Sequence, residues 1–107
     1  MLFYAYASRL AVRPQHRDKF LRASRAMAAQ AHREADCQGF YCYEEVDAPN
    51  TFLLSGSWKT NPAMQAHLAQ PYRLAYFEQL SHWLVEPATL VFYETVKERV
   101  TMLKANP

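Results

Sequence analysis

Apolar and polar positions follow two rhythms along this chain, and the switches between them mark its elements. Residues 2–12 are rich in aromatic and small side chains and predict a first strand. Pro14 opens a long helix, where its missing N–H costs nothing because first-turn donors have no intrahelical partner. Phe20, Ser24, Met27 and Ala31 then recur at helical spacing, with Leu21, Ala28 and Ala35 widening the stripe. Arg17, Arg22, Arg25 and Arg33 fall largely outside it, and residues 36–39 end the helix. Strands follow over 40–46 and 51–59, paired antiparallel through a turn at Asp47, Ala48, Pro49 and Asn50. Asn61, a capping residue before Pro62, starts a short helix through Ala69. Pro71 restarts the helix with Phe77, Leu80 and Leu84 on one face; Glu86 and Pro87 stop it, and 88–96 form a last strand. The order β-α-β-β-α-α-β predicts an α+β fold of the split βαβ kind, a four-stranded antiparallel sheet with helices on one face.

The strands carry a second message. A sheet covered on one face alternates apolar and polar residues. Here both parities are apolar or aromatic: Phe40 and Cys42 against Tyr41 and Tyr43, Leu90 and Phe92 against Val91 and Tyr93. Helices cover one face and no spare element remains for the other. A second copy of the chain is the simplest cover, so an obligate homodimer is expected.

With 107 residues, half of them hydrophobic and 14% aromatic, the chain supports one domain with its own core and is not disordered. That domain is assigned to 1–97 and a charged tail to 98–107. The two glycines, Gly39 and Gly56, exclude a Gly-rich phosphate loop. No apolar run approaches the roughly 18–20 residues that span a bilayer, and the N-terminus lacks the basic leader of a signal peptide. In an extended strand Cys37 and Cys42 would sit roughly 16 Å apart on opposite faces, which favours packing over a disulfide and a cytoplasmic location. His16, His32, His67 and His82 form no His-x-x-x-His pair. Glu78 with His82, and His32 with Asp36, offer only two ligands each, so no metal site is expected. Gly39-Phe40-Tyr41-Cys42-Tyr43 faintly echoes an RNA-binding strand, but Gln38 and Tyr41 replace its basic and small residues. It also falls on the second strand rather than the third, and with a net charge of only +2 no nucleic-acid partner is expected.

An ordered set of short pieces across about four fifths of the chain resembles the antibiotic biosynthesis monooxygenase family, which includes quinol monooxygenases. The pieces are Arg13-Pro14 with His16-Arg17, Glu34 before Cys37, Gly39-Phe40 with Tyr43, and Asp47-Ala48-Pro49-Asn50. Phe52-Leu53-Leu54, Trp58, the run Ala63-Met64-Gln65-Ala66-His67-Leu68, Tyr76 and Val91-Phe92-Tyr93-Glu94 complete it. The resemblance implies a ferredoxin-like domain that dimerises sheet to sheet into an α+β barrel. It also implies a cofactor-independent monooxygenase acting on a small hydroxylated aromatic or quinol with dioxygen.

Trp58 and His67 stand out within that frame, nine positions apart, one ending a strand and the other inside the next helix beside Leu68 and three residues after Met64. The resemblance implies a shared pocket in which Trp58 stacks on the substrate ring and His67 takes its hydroxyl proton. The alternative is that Trp58 packs the core and His67 lies half-buried at the surface. Tyr4, Tyr6, Phe52, Leu54, Tyr76 and Phe77 are the candidate pocket walls. A deprotonated quinol is electron-rich enough to reduce dioxygen itself, so such a site needs an apolar, water-poor space and a base, and neither metal nor flavin. The chain departs from the family at several places. Ser57 precedes the tryptophan where an acid is common, Tyr72 stands near the place of a second histidine, and Leu54 and Phe77 replace a polar Asn and Arg pair. In the haem-degrading branch the axial histidine falls on Phe77, which cannot ligate iron. A non-oxidative, isomerase-type enzyme and a silent dimer that binds an aromatic ligand remain alternatives on the same scaffold.

Overall fold

The computed structural model describes residues 3–107. Its elements are β1 (Phe3–Ala11), α1 (Arg17–Ala31), β2 (Cys37–Glu45), β3 (Ala48–Trp58), α2 (Asn61–Leu68), α3 (Pro71–Ser81) and β4 (Leu90–Thr95), with a 3-10 turn at Pro14–His16 leading into α1. The four strands form one antiparallel sheet in the order β2-β3-β1-β4. This is the α+β, ferredoxin-like arrangement expected from the element order. Leu2, where the first strand was expected to begin, lies outside the described residues.

Strand parity decides what meets the helices. Tyr6, Ser8 and Leu10 of β1 pair in register with Gly56, Leu54 and Phe52 of β3, and these positions point to the helical side. Phe20 of α1 packs on Phe52 with ring centres 4.6 Å apart, and α2 lies on β1 and β3. Tyr41, Tyr43, Leu53, Val91 and Tyr93 have the opposite parity and are exposed. No helix among the described residues is long and apolar enough to cross a membrane. Residues 98–107 carry neither helix nor strand.

The boundaries differ from expectation where side chains rescue irregular backbone. Helix α1 stops at Ala31, and Asp36 takes a positive φ of 61° before β2 begins. β3 starts at Ala48, so the hairpin turn is only Val46 and Asp47. Asn50, expected in that turn, lies inside β3 with φ 63°, and its N–H is accepted by the Glu44 carboxylate at 2.8 Å. Arg17 grips both Glu44 and Asn50, and its hydrogen bond holds the Glu44 carboxyl down at about 2. An irregularity between Cys37 and Gly39 shifts the register of β2 by one. Cys37 thus pairs opposite Trp58 and Cys42 opposite Leu54, both on the helical side. The expectation that the two cysteines point to opposite faces fails because the bulge inverts strand parity. Both thiols are free, and burial pushes Cys42 up to about 11.

Candidate functional site

Three elements converge near the end of β3. Trp58 closes that strand, fully buried. Gly56, two residues earlier on the same face, makes room for the indole. A Cβ there would stand 2.8 Å from both Trp58 Cη2 and Phe40 Cδ2. Thr60, one residue before the expected cap, receives the Ala63 N–H at 3.2 Å and fixes the start of α2. Met64 and His67, three apart, then face inward together.

His67 is buried with both ring nitrogens engaged. Nδ1 lies 2.8 Å from Glu34 Oε2, and Nε2 lies 2.7 Å from the Tyr6 hydroxyl. A carboxylate can only accept, so Nδ1 carries the proton and the Nε2 lone pair takes the Tyr6 O–H. Glu34, in the turn after α1, also accepts the Trp58 Nε1–H at 3.0 Å and the Tyr72 hydroxyl. Burial lowers the His67 pKa below its ordinary value, partly opposed by the Glu34 hydrogen bond. Burial raises the Tyr6 hydroxyl, with the Arg73 charge pulling the other way. The resting state is therefore a neutral imidazole between a carboxylate and a protonated tyrosine.

The expected site residues divide into groups. Trp58 and His67 come together, ring centres 4.3 Å apart, and Tyr6 joins them, stacked 5.6 Å from Trp58. The indole face expected to hold a substrate is occupied by protein here. Leu54 is buried core. Phe52 lies apart, against Phe20, and Tyr76 turns toward α1, its hydroxyl 2.8 Å from Ser24 Oγ. Tyr4 sits at the sheet's rim with its hydroxyl donating to Glu94 at 3.4 Å. Phe77 lies 6.3 Å from Tyr6 and lines a cavity of about 520 Å³ with Ser8, Leu10, Leu80, Leu84 and Leu90. The segment that roofs this cavity is pinned by backbone bonds from Arg13 to Trp83 and from Val85 to Ala11, each 2.8 Å.

Glu34, the hub of the network, was legible only as one piece of the family resemblance, without a role. Its partners lie 24, 33 and 38 residues away, beyond the reach of any local spacing. Arg73, whose guanidinium lies 4.4 Å from the Phe77 ring centre, gave no signal at all. Among the described residues no three of His, Cys, Asp and Glu are grouped to hold a metal ion.

Known proteins match this chain over most of its length. The family described as antibiotic biosynthesis monooxygenase matches residues 4–79. An uncharacterised protein of Synechocystis is 25% identical over 88 residues; the chain spans 60% of the length of that curated relative, and the match covers 82% of the chain. A solved structure assigned as an antibiotic biosynthesis monooxygenase from Deinococcus radiodurans superposes with a TM-score of 0.84 at 21% identity, covering 94% of this chain and 99% of that one. One of the same description from Nitrosomonas europaea gives 0.80 at 24% identity, over 88% and 90%. A Mycobacterium tuberculosis protein gives 0.81 at 22%, over 92% and 99%.

Proposed function

The chain belongs to the antibiotic biosynthesis monooxygenase family, and from that premise we propose that it oxidises a small hydroxylated aromatic or quinol with dioxygen, without metal or flavin. The observation that carries this reading is the Glu34–His67–Tyr6 chain of hydrogen bonds near a substrate-sized cavity, lined mainly by apolar residues but also by Arg13 and Glu86. Phe77 walls the cavity, and its ring centre lies 6.3 Å from that of Tyr6. A substrate hydroxyl gives its proton to the Tyr6 oxygen as the Tyr6 proton passes to His67 Nε2, and Glu34 stabilises the imidazolium so formed. The resulting electron-rich anion reduces dioxygen. Carbon–oxygen bond formation and loss of water then convert a C–H para to the hydroxyl into a quinone carbonyl, one oxygen atom going to product and one to water. Trp58 serves this scheme by position, its N–H holding Glu34 toward His67.

The exposed apolar residues of the outer sheet face, among them Tyr43, Leu53 and Tyr93, support a second copy seated there. Sedimentation at micromolar concentration should give a dimer, and a stable folded monomer would remove that part of the reading.

An oxygen electrode with a panel of quinols, with and without chelator, tests the reaction. Uptake should persist in chelator and drop by about 10²–10⁴ in a folded His67→Ala variant, as loss of a general base predicts. Substrate turnover without oxygen uptake would instead indicate isomerase-type chemistry. Full activity in His67→Ala would end the role given to the imidazole.

A further inference from the structure

Two serine hydroxyls line the 520 Å³ cavity, and the protons of both are engaged elsewhere. Ser8 lies on the helical face of β1, paired with Leu90 of β4 and two residues before Leu10, and both leucines line the same cavity. It is buried, and its Oγ–H donates to the Thr89 carbonyl at 2.8 Å. Ser81, exposed at the end of α3, donates its Oγ–H to the Glu78 carbonyl at 2.6 Å. A carbonyl only accepts and a serine hydroxyl carries one proton, so each oxygen has lone pairs alone left to offer. Neither oxygen receives a hydrogen bond from any described residue. The other polar lining residues, Arg13 and Glu86, are exposed and opposite in charge, and the rest of the wall is apolar.

We propose that Ser8, assisted by Ser81, is the specificity-determining residue of this cavity, accepting an O–H from a hydroxylated aromatic and disfavouring ligands whose oxygens only accept. The proposal rests on the cavity being the substrate site and is independent of the oxidation itself. A quinone carbonyl or an aryl ether oxygen would meet the serine lone pair against lone pair. For either serine to donate to such a ligand, it must first surrender its bond to the backbone carbonyl. In the proposed reaction the same feature separates substrate from product: a quinol hydroxyl fits, and the carbonyl it becomes does not, so oxidation itself loosens the product.

Equilibrium binding under nitrogen at neutral pH tests this without turnover, comparing 1-naphthol with 1-methoxynaphthalene and 1-fluoronaphthalene, which keep the ring and offer no O–H. Apolar burial alone favours the two less polar ligands, so a preference for naphthol isolates the hydrogen bond. The full-length wild type should bind naphthol about fivefold more tightly than either, the factor carried by one neutral hydrogen bond. Ser8→Ala should abolish the preference and leave fluoronaphthalene binding unchanged, whereas Ser8→Thr, which keeps the hydroxyl, should retain it. An amide NMR spectrum verifies that each variant is folded. Ser8→Cys, similar in size with only a weak acceptor, makes the same test should Ser8→Ala fail to fold. Ser81→Ala should lower the preference in part, and a preference it leaves whole would remove that residue's share. Equal or weaker binding of naphthol, binding of none of the three ligands, or a preference that survives loss of the Ser8 hydroxyl would overturn the proposal. A Ser8-dependent preference with no oxygen uptake would uphold it and overturn only the oxidation.

Discussion

The two ends of the helix-covered sheet face are built on opposite plans. Toward β2 and β3 the space is filled. Phe40, Leu54, Trp58 and His67 are almost wholly buried, and the polar atoms of the Glu34 network all find protein partners. Toward β4 the face is open. Helix packing falls on β1, β2 and β3, so Phe92 stays 50% exposed and a cavity remains between β1, β4 and α3. The polar chemistry thus sits in the dry half and the substrate-sized space in the other, with Tyr6 and Phe77 at the seam. A buried polar network is stable only when complete, and a binding space requires incomplete packing. Placing them side by side lets one small domain satisfy both demands.

The largest effects should come from opening the filled half. Trp58→Ala removes the biggest buried side chain and deprives Glu34 of a donor. Chemical denaturation should show a loss of about 3–5 kcal/mol, the range for emptying an aromatic core site. A loss below about 1 kcal/mol would mean that this half is not sealed. Gly56→Ala attacks the same packing by overfilling it. Its Cβ would press on the Trp58 and Phe40 rings at 2.8 Å, and a cost of about 1–3 kcal/mol is expected by the same measurement.

How far the sequence foretold this contrast differs between the halves. Element order and type were legible throughout, because helical and strand periodicities are local. The bulge at Cys37 was not, since one extra residue in a strand has no compositional mark, and it reversed which face Cys37 takes. Trp58 and His67 were legible as a pair chiefly through the family resemblance, with the strand end and the next helix only nine positions apart. Glu34 and Tyr6 reach them only through the tertiary fold, across 33 and 61 residues. Phe52 and Tyr76 have the aromatic character of pocket walls, yet packing partners on α1 claimed them. Composition says that a residue can line a pocket; only the arrangement of helices says where packing stops.

Protonation probes the filled half more gently. Burial holds the folded pKa of His67 below the unfolded value of about 6.5, so the unfolded chain takes up the proton first as pH falls. The stability that depends on neutral His67 is therefore complete above about pH 6.5 and is lost as pH falls through the folded value. Thermal unfolding from pH 7.5 downward should weaken more steeply in the wild type than in His67→Gln. The difference is bounded by about 1.4 kcal/mol per pH unit for one proton. Parallel curves would mean that the Glu34 attraction cancels the effect of burial, and a shallower wild-type curve would mean that it outweighs burial. The low-pH limb of any activity profile should likewise lie below histidine's ordinary value.

The smallest effect belongs to the open half, and it sharpens the comparison most directly because the molecule supplies its own control. Phe40 and Phe92 occupy the two edge strands, β2 and β4, and both point to the helical side. Their ring centres lie 6.3 Å and 5.8 Å from Tyr6. Phe40 is 1% exposed and Phe92 50%. Phe40→Ala should cost about 3–5 kcal/mol, because the cavity it leaves cannot fill with solvent cheaply. Phe92→Ala should cost about 1 kcal/mol or less, because much of that ring is already hydrated and its site is open to water. Denaturant midpoints of the two variants measure the difference at constant chemistry. If Phe92→Ala proves as costly as Phe40→Ala, something covers β4 in solution and the open half is closed by a partner or by the tail. If it is cheap in stability but weakens binding of an aromatic ligand several-fold, the exposed ring is there for the ligand.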